Sequence, residues 1–253
     1  MTEITRKIGI EVLEDCPWGT HICLFYENKE DLLETLVPYF KAGLENNEHC
    51  MWITSELLTK DEIVGAMREV VSHFDSYMAK NQIEIIPAKE WYLIDNAFNS
   101  ERTLDDWIKK VDTVVEKGYD GLRIFGDLLW VGKENWEKFK DYEAEVNEVL
   151  PDFPMLAICS YSLTKYNSKE IIEAMRNHQY SLIRYDGKWE RFNNSIEMED
   201  EYNLEERIKK VEAKTKQLSE SQEKYQKAFE EVDFFKDLLM HDFNNVLSNI
   251  KAS

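Results

Sequence analysis

Near the end of this chain a histidine stands next to a carboxylate, with an amide four residues after the histidine: His241-Asp242-Phe243-Asn244-Asn245. On a helix, positions i and i+4 share a face. His241 and Asn245 would then point the same way, with Asp242 beside them. A histidine so placed is a candidate nucleophile, and the carboxylate can take or orient its proton. A second group of reactive side chains lies earlier, at what read as the ends of apolar strands. It comprises His21, Cys23, Tyr26, Trp91, Asp127, Trp130, Cys159 and Tyr161. Such residues suit a small, mostly apolar pocket with a few polar groups, that is, a ligand-binding site. His21, Cys23 or Cys159 could also hold a soft metal or haem, although no defined metal set is assigned. His21 and Cys23 alternate and so share one strand face. The plainer reading is that a strand cysteine is a small buried apolar residue, and that Trp91 and Trp130 are core.

Both groups need elements to hold them. From His21 to about Phe192, short apolar runs alternate with helical patterns. The runs are 21–26, 49–54, 83–86, 121–127 and 155–159. They read as strands buried on both faces. Between them, apolar residues recur at helical spacing: Leu32, Leu36 and Phe40; Ile63, Met67 and Val70; Trp107, Val111 and Val115; Phe139, Tyr142 and Val146; Ile171 and Met175. Asn28 is placed to cap the first helix, and Gly118 to end the third. Residues 181–192 read as a hairpin turning at Asp186-Gly187. The expected fold is α/β, with a mainly parallel sheet and helices on both faces. Its ligands are expected beyond the carboxyl ends of the strands.

The composition changes after about Asn193. From there to Met240 the chain has no Gly and no Pro. Leu204, Ile208, Val211, Thr215, Leu218, Gln222, Tyr225, Phe229 and Val232 recur in steps of four and three, a heptad seam flanked by Lys and Glu. The expectation is a long dimeric coiled coil, with a solvated single helix as the alternative. The expected domains are therefore 1–193, 194–236 and 237–253.

Several functions are excluded or disfavoured. The formal net charge of −19 argues against nucleic acid and against anionic membranes. No signal peptide or membrane span is visible, so a cytoplasmic location is expected. Cys16, Cys23, Cys50 and Cys159 form no C-x-x-C pair and read as thiols. The residues after the first strand, Glu27-Asn28-Lys29-Glu30-Asp31, are acidic and lack glycine, so they cannot cradle a phosphate. Gly19-Thr20 has no lysine beside it, and no G-x-G-x-x-G occurs. No cysteine has the surroundings of an activated hydrolase nucleophile.

Three segments resemble the MEDS domain, the sensory domain of methanogens, methylotrophs and the regulator DcmR. They are His21–Tyr26 with the following helix, Gly43-Leu44 and Glu48-His49-Cys50; Gly121–Asp127 running to Trp130; and Cys159-Ser160-Tyr161 with the helix ending at His178. The resemblance implies a RecA/KaiC-like fold without its phosphate loop, and a sensor of small hydrocarbon derivatives. Ser160 and Ser162 stand where relatives often have Gln and Asp. The segment around His241 is similar to the H-box of sensor histidine kinases. That likeness implies a phosphoacceptor His241, with Asp242 as base and Asn245 positioning water. The implied protein is a two-component sensor kinase that dimerises through the coiled coil and acts on a response regulator. Its ATP-binding domain would be supplied in cis beyond Ser253 or in trans, so this chain alone is expected to be inactive. The rival expectations are a haem- or metal-based redox sensor on the same scaffold and a non-catalytic adaptor.

Overall fold

The computed structural model describes residues 5–194, 209, 211 and 213–216. The chain divides into two units, Met1–Asp200 and Glu201–Ser253. The described residues of the second unit are helical. Most of the heptad seam, and all of 237–253 with His241, Asp242 and Asn245, lie outside the described residues.

In the first unit, β1 (Thr5–Arg6) pairs antiparallel with β2 (Cys16–Pro17). Then follow β3 (His21–Tyr26), α1 (Lys29–Glu45), β4 (His49–Thr54), α2 (Lys60–Val70), α3 (Phe74–Ala79) and β5 (Ile83–Pro87). A short helix α4 (Ala88–Tyr92) leads into a small hairpin of β6 (Leu93–Ile94) and β7 (Ala97–Phe98). After it come α5 (Ser100–Glu116), β8 (Leu122–Asp127), α6 (Trp136–Val149), β9 (Met155–Ser162) and α7 (Ser168–Arg176). The final hairpin is β10 (Tyr180–Tyr185) and β11 (Lys188–Asn193).

The main sheet has seven strands in the order β11-β10-β3-β9-β8-β4-β5. All neighbours are parallel except the β10–β11 hairpin. Each apolar run expected to be a strand is one, because a strand covered on both faces has no polar side to alternate. Ile22, Leu24 and Tyr26 pack with Leu32, Leu36 and Phe40 of α1 on one face. His21, Ala157 and Cys159 meet Trp107 of α5 and Tyr142 of α6 on the other. Helices therefore cover both faces, as expected.

Local signals account for the element ends. The Asn28 side chain accepts from the Asp31 N–H to cap α1. Thr59 with Glu62, and Asn167 with Glu170, form reciprocal capping boxes on α2 and α7. Asp186 and Gly187 both take positive φ (48° and 76°), the twist that a two-residue hairpin needs. Two helix positions depart from expectation. Val70 and Val115 are exposed, because each falls in the last turn of its helix, past the edge of the sheet-facing stripe.

A charged knot lies on the α1 face. Arg123 of β8 is fully buried, and its Nε donates to Glu48 Oε2 at 2.5 Å. Its two terminal nitrogens donate to the carbonyls of Lys7, Ile8 and Tyr39 at 2.8–3.0 Å. Arg6 Nε donates to the other oxygen of Glu48 at 2.9 Å. The guanidinium thus ties the N-terminal segment and α1 to the middle of the sheet.

A second ion pair clips the sheet edge. Glu84 of β5 lies 2.9 Å from His49 Nε2 and 2.6 Å from Lys110 Nζ. These groups hold its carboxyl down to about 2 from an ordinary 4.5, against the upward push of burial. The folded carboxyl is thus more acidic than the unfolded one. Its contribution to stability is complete above about pH 4.5 and is lost as the pH falls toward about 2. Glu84→Gln is expected to flatten the acid limb of the urea-midpoint profile in that window. An unchanged limb would contradict the assignment.

Candidate functional site

Beneath the sheet, on the α5/α6 face, four buried side chains converge: His21, Glu143, Cys159 and His178. Their ligating atoms all lie within 4.8 Å of one another. Strand pairing creates this site. The β3–β9 register sets His21 opposite Ala157 and Cys23 opposite Cys159, so His21 and Cys159 sit diagonally on one face. His21 Nε2 lies 3.4 Å from Cys159 Sγ and 3.5 Å from Glu143 Oε2. His178, just after α7, places Nε2 3.1 Å from the same Glu143 oxygen. The two imidazoles are tilted by 33°, with centroids 3.8 Å apart. Tyr161 OH donates to Glu143 Oε2 at 3.3 Å, and the Cys159 thiol to Oε1 at 3.6 Å.

The electrostatics follow from burial. His21 is pushed well below its ordinary pKa by desolvation, and further by His178; the Asn177 backbone and the Asn147 amide oppose this. Cys159 is pushed well up by burial and by the Glu143 carboxylate. His178 Nδ1 makes a 2.7 Å hydrogen bond with the Ala174 carbonyl. A carbonyl only accepts, so Nδ1 carries a proton, and Nε2 is the ring nitrogen left toward Glu143. A cavity of about 20 Å³ adjoins the quartet. It touches His21, Glu143 and Cys159 and is otherwise walled by residues such as Trp107, Val111 and Ile124. That volume holds about one water-sized molecule.

The remaining candidates do not share this pocket. Cys23, two residues along the same strand face, turns toward β10 and donates to Ser181 Oγ at 3.0 Å. Asp127 closes β8. One of its oxygens accepts from Ser55 Oγ at 2.5 Å and the other from the Leu129 N–H at 3.1 Å. Burial pushes its carboxyl up, and those two donors oppose the shift. Tyr26 lies beside it, with its phenol pushed up by burial and then by Asp127. Trp91 packs on Trp107 with centroids 4.4 Å apart, and Trp130 stacks on Tyr92 at 5.0 Å. Trp130 also lines a cleft of about 640 Å³ with Thr54, Ser55, Lys60 and Pro87. This cleft is the space beyond the carboxyl ends of β4 and β5 where a ligand was expected. The quartet instead lies under the sheet, nearer the amino end of β3.

The amino end of α1, where a phosphate-binding relative would hold its anion, is filled from within. Asp31 Oδ2 accepts from the Glu27 N–H at 3.0 Å, and Asn28 caps the Asp31 N–H. The acidic loop thus provides its own acceptors.

Glu143 and His178 were not among the residues singled out from the sequence. Glu143 carried a usable signal. It stands four residues after Phe139 and three before Val146, a carboxylate inside the apolar stripe of α6. His178 had none, because only the fold brings the end of α7 back under β3.

The profile of the MEDS family, described as "MEthanogen/methylotroph, DcmR Sensory domain", matches residues 20–179. The transcriptional repressor DcmR of Methylorubrum extorquens is 26% identical over 168 residues, covering 65% of this chain and 60% of the repressor. The chain therefore spans about three fifths of the length of that relative. Among solved structures, the KaiC-like protein of Pyrococcus horikoshii superposes with a TM-score of 0.50 at 16% identity, over 75% of this chain and 86% of that one. That likeness places the fold among KaiC-like sheets. All members of the buried quartet fall inside the matched span: the chain belongs to the MEDS family of sensory domains.

Proposed function

We propose that the domain senses a ligand of one or a few heavy atoms and relays its presence to an output helix. The observation that carries this reading is the position of the buried quartet relative to the exit of the chain. His178 lies two residues before β10, which pairs directly with β3, the strand bearing His21. The same region is linked onward to the end of the hairpin. Cys23 bonds Ser181, and Asn194 Nδ2 donates to the same Ser181 oxygen at 2.6 Å. A ligand that favours one packing of β3 on β10 over another shifts the equilibrium by its difference in affinity for the two. Asn194 is where such a shift leaves the hairpin.

In this reading, residues 194–236 form a dimeric coiled coil. They carry the shift to His241, with Asp242 as its base and Asn245 positioning water. A kinase catalytic domain, in cis or in trans, phosphorylates His241, and a response regulator receives the phosphoryl group. The relative named as a transcriptional repressor supports a sensory role with a different output. The charge of −19 disfavours DNA contact by this chain itself. No described helix is long and apolar enough to cross a membrane.

Methanol and methylamine, the smallest candidates for the cavity, and the bulkier dichloromethane, which would have to widen it, are the probes. At least one is expected to raise the melting temperature with concentration, as any ligand of the native state must, and butanol is expected to be inert. No shift with any of the three would remove the small-ligand reading. Separately, a histidine kinase catalytic domain added in trans is expected to label the wild type and not His241→Ala. Equal labelling would remove the phosphoacceptor role while leaving the sensor intact.

A further inference from the structure

We propose that His21, Glu143, Cys159 and His178 bind one divalent transition-metal ion of the zinc or iron(II) class. Metal–ligand bonds of about 2.0–2.3 Å in a tetrahedral shell set ligand atoms roughly 3.3–3.8 Å apart. His21 Nε2 is 3.4 Å from Cys159 Sγ and 3.5 Å from Glu143 Oε2, Cys159 Sγ is 3.6 Å from Glu143 Oε1, and His178 Nε2 is 3.1 Å from Glu143 Oε2. The four ligand atoms all lie within 4.8 Å of one another, so small side-chain adjustments bring them to coordination distance of one ion. Two borderline imidazoles and a soft thiolate, joined by one hard carboxylate, make a mixed N, S and O set that takes zinc or ferrous iron rather than calcium or magnesium.

Three independent features point the same way. The first is charge. Glu143 is buried, and within the described residues its ion-pair contacts are only the two histidines. A buried carboxylate needs a counter-charge. A 2+ ion with one carboxylate and one thiolate leaves the site neutral. The second is His178 Nε2, which is buried and 3.1 Å from Glu143 Oε2 yet makes no hydrogen bond of good geometry among the described residues. The third is the outer layer. His178 Nδ1 is anchored on the Ala174 carbonyl, and Tyr161 OH steadies the Glu143 oxygen. Metal-binding histidines and carboxylates carry such supports, which fix ring orientation and tautomer. His21 Nδ1 and Asn147 Oδ1 are both buried without a hydrogen-bond partner among the described residues.

The cavity touches three of the four donors, so an ion here has one side accessible to a small exogenous ligand. The volume suits a bare ion and its water rather than a porphyrin. The metal site does not depend on the signalling scheme, because it is read from metal content and spectra rather than from ligand response or phosphotransfer.

The test uses the untagged full chain, stripped with chelator and titrated with Co²⁺. One cobalt per chain is expected, with visible d–d bands and a thiolate charge-transfer band, both displaced by Zn²⁺. Cys159→Ser is expected to abolish the charge-transfer band. His178→Ala and Glu143→Gln are expected to weaken binding by more than the roughly 10–100-fold that loss of an outer partner costs, and Tyr161→Phe by about 10-fold. Cys23→Ser, just outside the quartet, is expected to keep the full spectrum. A folded wild-type chain that takes up no stoichiometric cobalt or zinc overturns the proposal, whether or not any variant folds. So does binding that survives in folded Cys159→Ser/His178→Ala with unchanged affinity. A Soret band on haem addition, with no response to cobalt, replaces the bare ion with a porphyrin and overturns it equally.

Discussion

Arg123→Met is expected to destabilise the domain by about 3–5 kcal/mol, the usual cost of removing one partner of a buried ion pair. The residue leaves behind a fully buried Glu48, and three backbone carbonyls lose their donor. Arg6 reaches only one oxygen of that carboxylate, so it cannot compensate. Arg123→Lys is expected to recover little. An ammonium is a point charge with no planar fork, and the guanidinium also sits 4.6 Å over the Tyr39 ring. Removing both charges with Glu48→Leu/Arg123→Met is expected to be milder than the single change, since no unpaired ion remains. Gly43 belongs to the same arrangement. A Cβ there would lie 2.8 Å from Arg123 Nε and 2.9 Å from Cys50 Sγ, so Gly43→Ala displaces the guanidinium from its acceptors. Urea midpoints at pH 7 read all four variants. A loss below about 1 kcal/mol for Arg123→Met would mean that the knot is solvated in solution, against its burial here.

The second large effect concerns Trp52. Its side chain is completely buried in β4, stacked on Phe40 at 4.8 Å and edge-on to Phe125 at 5.8 Å. Trp52→Ala is expected to cost about 3–5 kcal/mol through lost burial and the cavity left behind. Trp52→Phe separates packing from polarity. The indole Nε1 is buried with no acceptor among the described residues. An unpaired buried donor costs about 1–3 kcal/mol, and phenylalanine relieves that while keeping most of the stacking. The phenylalanine variant is therefore expected to lose well under half of what the alanine variant loses. Equal losses would show that the N–H has a partner, such as a bound water.

The strands could be read from the sequence because burial on both faces erases alternation. Runs such as Ile22–Tyr26 and Leu156–Ile158 have no other use in a chain this charged. The turn at Asp186-Gly187 and the cap at Asn28 were legible for a local reason, since each satisfies its own backbone. The β6–β7 hairpin relies on the same positive φ at Asp95 and Asn96, but its strands are only two residues long and leave no periodic trace. Strand order was not legible. Nothing near His21 shows that β3 will lie between β9 and β10, because that order depends on how crossover helices cover both faces. The candidate site divides along the same line. His21, Cys159 and Tyr161 stood out by residue type and place on a strand. Glu143 is one polar position in a helical stripe, and His178 reaches the site only through the sheet order. Cys23, Tyr26, Asp127 and the two tryptophans share a sheet with that site but make contacts of their own.

The central place of β3 has a consequence for how the protein is made. Its two neighbours are β9 and β10, and His21 and Cys159 are 138 residues apart in the chain. During synthesis this apolar strand leaves the ribosome early and waits for partners that do not yet exist. At ordinary elongation rates that delay is roughly 10–30 s. Long-range parallel pairing is slow even once both partners are present. The nascent domain thus carries an unpaired apolar strand until β9 and β10 have been made. An ion bound by all four side chains could arrive only after His178 had emerged and β10 had docked, which makes loading the closing step of maturation rather than a template for it.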